Sequence, residues 1–108
     1  MKLSKDEAVQ LMQKWQSEQA RIDVAFEGPD TRVAFKFVGS ISELTHDLLT
    51  ISQGDSQFLM ALEGTEFEYK DAREAPPHAR EWAAENVEGC LVVCGPAHVW
   101  HCSLFELK

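Results

Sequence analysis

The feature that most constrains this chain is the stretch from Ile22 to Tyr69, where short runs of alternating apolar and polar residues are separated by turn-forming residues. Alternation with a period of two is typical of β-strands with one buried face, and Gly, Pro, Asp and Ser between such runs are typical of tight turns. The stretch therefore predicts a continuous antiparallel meander. The rest of the chain is expected to cover or extend this sheet.

The first hairpin of the meander has a predicted register. A two-residue loop at Pro29-Asp30 would form three apolar pairs on one face: Phe26 with Val33, Val24 with Phe35, and Ile22 with Phe37. Opposite-charge pairs would lie on the other face: Glu27 with Arg32, and Asp23 with Lys36. Because Pro is unusual at the first position of such a turn, a longer loop with the same alternation stays open.

Gly39 lies in the middle of what would otherwise be one long strand from Val33 to Leu44. A glycine inside a strand commonly marks a bulge or a tight bend, so we predict that the sheet curls at this residue.

A second hairpin is predicted around a Gly54-Asp55 turn, with Ile51 opposite Phe58 and Leu49 opposite Met60. Its reverse face is also apolar. We therefore expect this hairpin to be covered twice within the domain or shared with another subunit.

Two helices are predicted, at 4–20 and 77–88. Ser4 and Glu7 fit a capping box, and the helix that follows has an apolar stripe formed by Ala8, Leu11, Met12 and Trp15. Pro77 suits the first position of the second helix, which would run from His78 to Glu88, and Gly89 can end it. The predicted fold is thus α+β: an N-terminal amphipathic helix, an antiparallel curved sheet or small barrel of about six strands, and one helix inserted before the C-terminal hairpin.

Half of the chain resembles the Sm-like small β-barrel proteins. The similarity consists of a short N-terminal helix, a long strand bent at a glycine in FVGSISEL, an LLTIS strand and a following FLMAL strand. The resemblance implies a small barrel and a tendency to form rings through edge strands. The Asp and Asn residues with which Sm-like proteins hold RNA bases are not matched here.

Charge and length exclude several classes of protein. A chain of 108 residues fits a single domain, 1–108, and its net charge of -8 argues against a nucleic-acid surface, which depends on Lys and Arg. The start has no apolar signal region, and no stretch approaches the roughly 18 to 20 apolar residues that span a bilayer. We therefore predict a cytoplasmic protein that binds neither nucleic acid nor membrane.

The C-terminal hairpin, 90–107, contains the candidate site residues. A three-residue loop from Gly95 to Ala97 would place Cys94 opposite His98 and Cys90 opposite Cys102, so that these four side chains share one face and offer ligands to zinc. A two-residue loop would instead move Cys102 to the opposite face. Buried cysteines also behave as small apolar residues, so packing in the core is the alternative interpretation.

The sequence contains none of the common nucleotide-binding, zinc-protease or hydrolase motifs, so an enzyme ranks behind the two functions that follow. Strand pairs that are apolar on both faces favour a non-catalytic module that forms homo-oligomers or binds another protein. The alternative function is a small-ligand or metal-binding domain that uses the Cys/His face. No cofactor is expected for the first function, and a zinc ion is expected for the second.

Overall fold

Residues 1–28, 31–75 and 80–108 are described by the computed structural model, with the backbone alone described for residues 31–36. They form an α+β fold, as predicted, with two helices and a single antiparallel sheet of eight strands. The elements are β1 (Lys2–Leu3), α1 (Lys5–Ser17), β2 (Ile22–Gly28), β3 (Thr31–Leu44), β4 (Leu48–Gln53), β5 (Ser56–Ala61), β6 (Glu66–Lys70), α2 (Arg80–Asn86), β7 (Val87–Cys94) and β8 (His101–Leu107).

The capping box at the start of α1 is confirmed. The Ser4 hydroxyl accepts a hydrogen bond from the Glu7 amide at 3.1 Å, and the Glu7 carboxylate accepts one from the Ser4 amide at 2.9 Å. These bonds also lower the pKa of Glu7. The helix is shorter than the predicted 4–20, because Glu18 forms its C-cap and Gln19 adopts a positive φ of 53°. Its apolar stripe is buried in the core, as predicted, with Leu11 half-buried at its margin.

The strands follow the order β1-β6-β7-β8-β2-β3-β4-β5. In the described part of the chain, the two edge strands β1 and β5 do not pair with each other. The sheet is therefore open, and the predicted alternative of a small barrel is not formed. The predicted meander from Ile22 to Tyr69 is correct through β5 and wrong for β6, which pairs with β1 and β7 instead. Leu62, in the connection from β5 to β6, is fully buried, and the Thr65 hydroxyl donates to its carbonyl oxygen at 2.7 Å.

The predicted register of the first hairpin is wrong by two residues. Val24 pairs with Phe37, Phe26 with Phe35, and Ile22 with Gly39. The register shifts between Phe26 and Gly28, because β3 has more residues than β2 in this short interval. A shift of two residues keeps Ile22 and Val24 on their predicted core face. Asp23 lies on the opposite face, as predicted, but is buried there rather than exposed to solvent. The proposed loop residues, 29 and 30, lie outside the described residues, as do the side chains of the predicted charge partners Arg32 and Lys36.

At Gly39 the long strand β3 changes its partner. It pairs with β2 up to Gly39 and with β4 from Ser40 onward. A Cβ atom on Gly39 would overlap the carbonyl oxygen of Ser52, so only glycine allows the strands to approach this closely. The second hairpin has the predicted register, with Ile51 opposite Phe58, Leu49 opposite Met60, and Gly54 at a φ of 56° in the turn.

The second predicted helix is longer than the observed one. Its predicted start, from 77 to 79, lies outside the described residues, and α2 ends at Asn86 rather than Glu88. The carbonyl oxygen of Asn86 accepts a hydrogen bond from the Lys108 amide at 2.9 Å, and Val87 pairs with Leu107, so the chain enters β7 at this point. Gly89 does not end a helix. It lies in β7 beneath the side chain of Tyr69, which a Cβ atom would overlap.

The central strands β6, β7, β8 and β2 have two different faces. One face packs against α1 and contributes the buried side chains Ile22, Val24, Leu91, Val93, Cys102 and Leu104 to the core. The opposite face, called the α2 face below, is defined by three rows of paired residues: Glu66, Cys94, His101 and Glu27; Glu68, Val92, Ser103 and Ala25; and Lys70, Cys90, Phe105 and Asp23. β7 and β8 are interior strands, each paired on both sides.

Neither of the described helices combines the length and the apolar character that a bilayer-crossing helix needs.

The close approach at Gly39 yields a stability prediction. Gly39→Ala should lower the free energy of unfolding by about 2 kcal/mol, since the added methyl group must displace backbone rather than a flexible side chain. Gly28→Ala is the matched control, because among the described atoms its Cβ would meet only Phe26 Cε1, at 3.9 Å, and we expect a change within about 0.5 kcal/mol. Urea unfolding measures both, and equal effects would contradict the role given to Gly39.

Candidate metal centre

The segment that joins β7 to β8 contains six residues, Gly95 to Trp100, rather than the predicted three-residue loop. Pro96–His98 forms a single 3-10 turn, closed by a hydrogen bond from the His98 amide to the Gly95 carbonyl oxygen at 2.9 Å. The Gly95 amide also donates to the Trp100 carbonyl oxygen at 2.8 Å, which fixes the two ends of the segment. The indole ring of Trp100 lies where a Cβ on Gly95 would be, and it stacks on Phe26 at 5.6 Å.

This longer segment changes the register of the hairpin. Cys94 pairs with His101, not with His98, and Cys90 pairs with Phe105, not with Cys102. Cys102 pairs with Val93 on the core face and is fully buried there. The predicted four-residue site therefore does not form, since Cys102 points away from it and Cys90 lies four residues along β7 from Cys94.

A different cluster forms at the end of the hairpin. One ligand atom each from Cys94, His98 and His101 lies within 4.8 Å of the other two. Cys94 and His101 meet across the strand pair, and His98 reaches them from the 3-10 turn. Thiolate and imidazole are the donors that zinc prefers in proteins, so these three residues could hold a transition metal ion.

The backbone at the turn is held in an unusual conformation. Ala97 and His98 both have a φ of 56°, in the left-handed region that residues with a side chain rarely adopt. Each such residue costs on the order of 1 kcal/mol or more, and strain of this kind concentrates at functional sites. Here the two left-handed residues turn the chain so that the side chain of His98 points back to Cys94.

Glu66 is the acidic neighbour of the cluster. It pairs with Cys94 across β6 and β7, and its Oε2 atom lies 3.2 Å from Nε2 of His98. Both side chains are more than half exposed, so the pair contributes little to stability. A carboxylate this close to one imidazole nitrogen favours binding of a metal ion through the other nitrogen.

The three thiols differ in accessibility. Burial raises the pKa of Cys90 and of Cys102 to about 12, and Cys102 is fully buried whereas Cys90 is 7% exposed. Cys94 is half-buried, and its pKa is raised by burial and then by the carboxylates of Glu66 and Glu68. The core-packing interpretation thus fits Cys102, whereas Cys90 is buried on the α2 face and Cys94 is the thiol that faces other ligand atoms.

A cleft of about 300 Å³ borders the cluster on the side of β1 and β6. Cys94, His98 and Glu66 line it, together with Lys2 and Lys5. The cluster is therefore open to small solutes rather than sealed within the protein.

His101 and Glu66 were not among the residues that the sequence assigned to the site. The assumed three-residue loop placed His101 on the opposite face from Cys94, and Glu66 belongs to a strand that was expected in the meander. The sequence contains one signal of the longer segment: Pro96, which favours the first position of a short helical turn.

Thiol accessibility gives a direct prediction. An excess of a chromogenic aromatic disulfide at about pH 8 should modify one thiol in the native protein and three after unfolding. The rapid native reaction should disappear in Cys94→Ser, because Cys102 is fully buried and Cys90 is only 7% exposed. Reaction of Cys90 or Cys102 as fast as that of Cys94 would contradict the described burial.

A scan against protein-family models and searches of curated proteins and of solved structures find no match to this chain. The resemblance to Sm-like proteins thus stays a prediction. The function has to be inferred from the chemistry of the described side chains.

Proposed function

We propose that this protein is a metal-binding domain in which Cys94, His98 and His101 hold a zinc ion at the end of the β7–β8 hairpin. The observation that carries the proposal is the convergence of one thiol and two imidazoles within 4.8 Å. Three protein ligands of this type are the donor set of zinc sites that keep one coordination position open.

The distances are compatible with a tetrahedral ion. Zn–S bonds of about 2.3 Å and Zn–N bonds of about 2.0 Å place neighbouring ligand atoms about 3.5 Å apart. The three ligand atoms lie within 4.8 Å of one another, so they need to approach by about 1 Å. His98 can supply this movement, since it is exposed and lies in a short turn.

Glu66 supports this arrangement from one side. Its carboxylate lies 3.2 Å from Nε2 of His98, so Nδ1 is the nitrogen of that ring that we propose binds the ion. Carboxylate-imidazole-zinc arrangements of this kind orient the ring and make it a better donor. The fourth coordination position is then left for water or a ligand.

The proposal predicts specific effects on metal affinity. Wild-type protein should bind one Zn²⁺, and one Co²⁺ with the intense visible bands and thiolate charge-transfer band of a tetrahedral site. Cys94→Ser, His98→Ala and His101→Ala should each abolish the thiolate-Co²⁺ spectrum or weaken binding by more than about 100-fold, and Glu66→Gln should weaken it by about 10- to 100-fold. Isothermal titration calorimetry measures the metal affinity, and absorption spectroscopy records the Co²⁺ bands.

Two matched controls distinguish the site from general surface effects. His46 lies exposed in the turn between β3 and β4, and Glu43 is exposed on β3, so His46→Ala and Glu43→Gln should leave the affinity unchanged. The decisive variant is His101→Ala, because only the described register brings this residue to Cys94. Unchanged metal affinity in that variant would refute the proposal.

A second candidate function is self-association through the sheet edge, and it is supported by strand β5. This strand has the sequence SQFLMA, with no charged residue, in a chain whose net charge is -8. Leu59 on this strand is 56% exposed. Natural sheets protect long edges with charges, prolines or bulges, and the opposite edge here, β1, is only two residues long. We propose that two copies pair their β5 strands in antiparallel orientation.

This candidate predicts a dimer with twice the 12.2 kDa mass of the chain. Leu59→Lys should convert it to a monomer, since a charge on the edge strand opposes pairing. His46→Lys adds the same charge at an exposed turn and should leave the dimer intact. Light scattering during size-exclusion chromatography gives the masses, and a wild-type monomer at all concentrations would exclude the β5 contact.

A further inference from the structure

A cavity of about 380 Å³ lies between the α2 face of the sheet and the segment that covers it. Its volume falls in the range of small-ligand pockets. The floor is formed by Ala25, Val92, Ser103 and Phe105, and the cover includes Ala72, Trp82 and Ala83. The small side chains of Ala25, Ala72 and Ala83 leave a space between the described parts of the two sides.

One wall of this cavity is aromatic. The rings of Trp82 and Phe105 meet edge to face, with their centroids 5.9 Å apart. Trp82 is nevertheless 38% exposed, so part of its indole surface is accessible to a ligand. Burial of a ring or a branched aliphatic group against this wall would be favourable, because it removes apolar surface from water on both partners.

The cavity and the metal cluster belong to the same face of the same two strands. Val92 precedes Cys94 by two residues on β7, and Ser103 follows His101 by two residues on β8. Two residues along a strand span about 6.8 Å, which a molecule with one ring and one donor group can bridge. Glu27 connects the two places, since it lines the cavity and pairs with His101 across β2 and β8.

Charge selects the kind of donor group. The Cys94 thiolate and the Glu66 carboxylate together balance a divalent ion, so the loaded centre carries no net positive charge. Among the described residues that line the cavity, Glu27, Asp71 and Glu74 are acidic and Lys70 is basic, and Glu27 pairs with His101. Lys2 and Lys5 line the separate cleft on the side of β1 and β6. An anionic donor would therefore gain little attraction here, whereas a neutral nitrogen or oxygen donor meets no repulsion.

We propose that the cavity binds the apolar body of a small molecule whose neutral nitrogen or oxygen donor occupies the open position of the metal centre. The inference rests on the proposed metal function and adds the class of ligand that the site accepts. The cavity provides selectivity for the body, and the ion provides the anchor for the head group.

The test uses 4-phenylimidazole and imidazole as probes on the Co²⁺-loaded protein. Both carry the same neutral donor, and only the first carries an apolar ring. Their titration is followed by the change in the visible Co²⁺ bands. We expect 4-phenylimidazole to bind at least about tenfold more tightly than imidazole, because its ring is buried in the cavity.

Variants that fill the cavity test whether the tighter binding of 4-phenylimidazole depends on the cavity. Ala25→Leu should remove the advantage of the phenyl ring while leaving the affinities for Co²⁺ and imidazole unchanged. Ala72→Leu, on the opposite side of the cavity, gives the same test should the first variant not fold. Ala84→Leu is the matched control, since Ala84 is exposed on α2 outside the cavity, and it should keep the advantage.

The outcomes separate the two proposals. Normal Co²⁺ binding with equal affinity for the two probes, or an advantage that survives in the filled variants, would overturn the ligand inference and leave the metal function standing. Failure to bind Co²⁺ at all would refute the metal function and the ligand inference with it.

Discussion

The pairing of β7 with β8 is the contact on which the candidate site depends. It places Cys94 beside His101 on the α2 face and buries Cys102 on the core face. A shift of β8 by one residue would move its core side chains, Leu104 among them, to the α2 face and would turn His101 away from Cys94. Because both strands are interior and are paired on both sides, the core that stabilises the fold also fixes the relative positions of two of the three metal ligands.

The third ligand, His98, is positioned by the conformation of a turn rather than by strand pairing. His98 belongs to a short turn, and its direction depends on two consecutive left-handed residues rather than on a ladder of hydrogen bonds. Stacking of Trp100 on Phe26 and its close packing over Gly95 hold the ends of the turn. A rigid pair of strand ligands with an adaptable turn ligand can contract around an ion at little cost to the fold, which an all-strand site could not do.

The features that depend on residues close together in the sequence were predicted correctly. The capping box at Ser4, the turn at Gly54 and the register of β4 with β5 follow from local patterns and are confirmed. The place of β6 was not predictable from alternation, since its partners β1 and β7 are distant in the sequence. The sequence predicted a cluster of Cys and His side chains on this hairpin. Which residues belong to the cluster depends on the number of residues in the loop, and the alternation pattern does not reveal that number. Cys90 and Cys102 were therefore assigned to the site in place of His101.

The most direct test of this account is the position of a bound ion. Crystals of the zinc-loaded protein, measured on both sides of the zinc absorption edge, would locate it by anomalous scattering. The account predicts a single peak about 2.3 Å from Sγ of Cys94 and about 2.0 Å from one nitrogen of each of His98 and His101. A peak bound to other residues, or no ordered zinc at this hairpin, would contradict it.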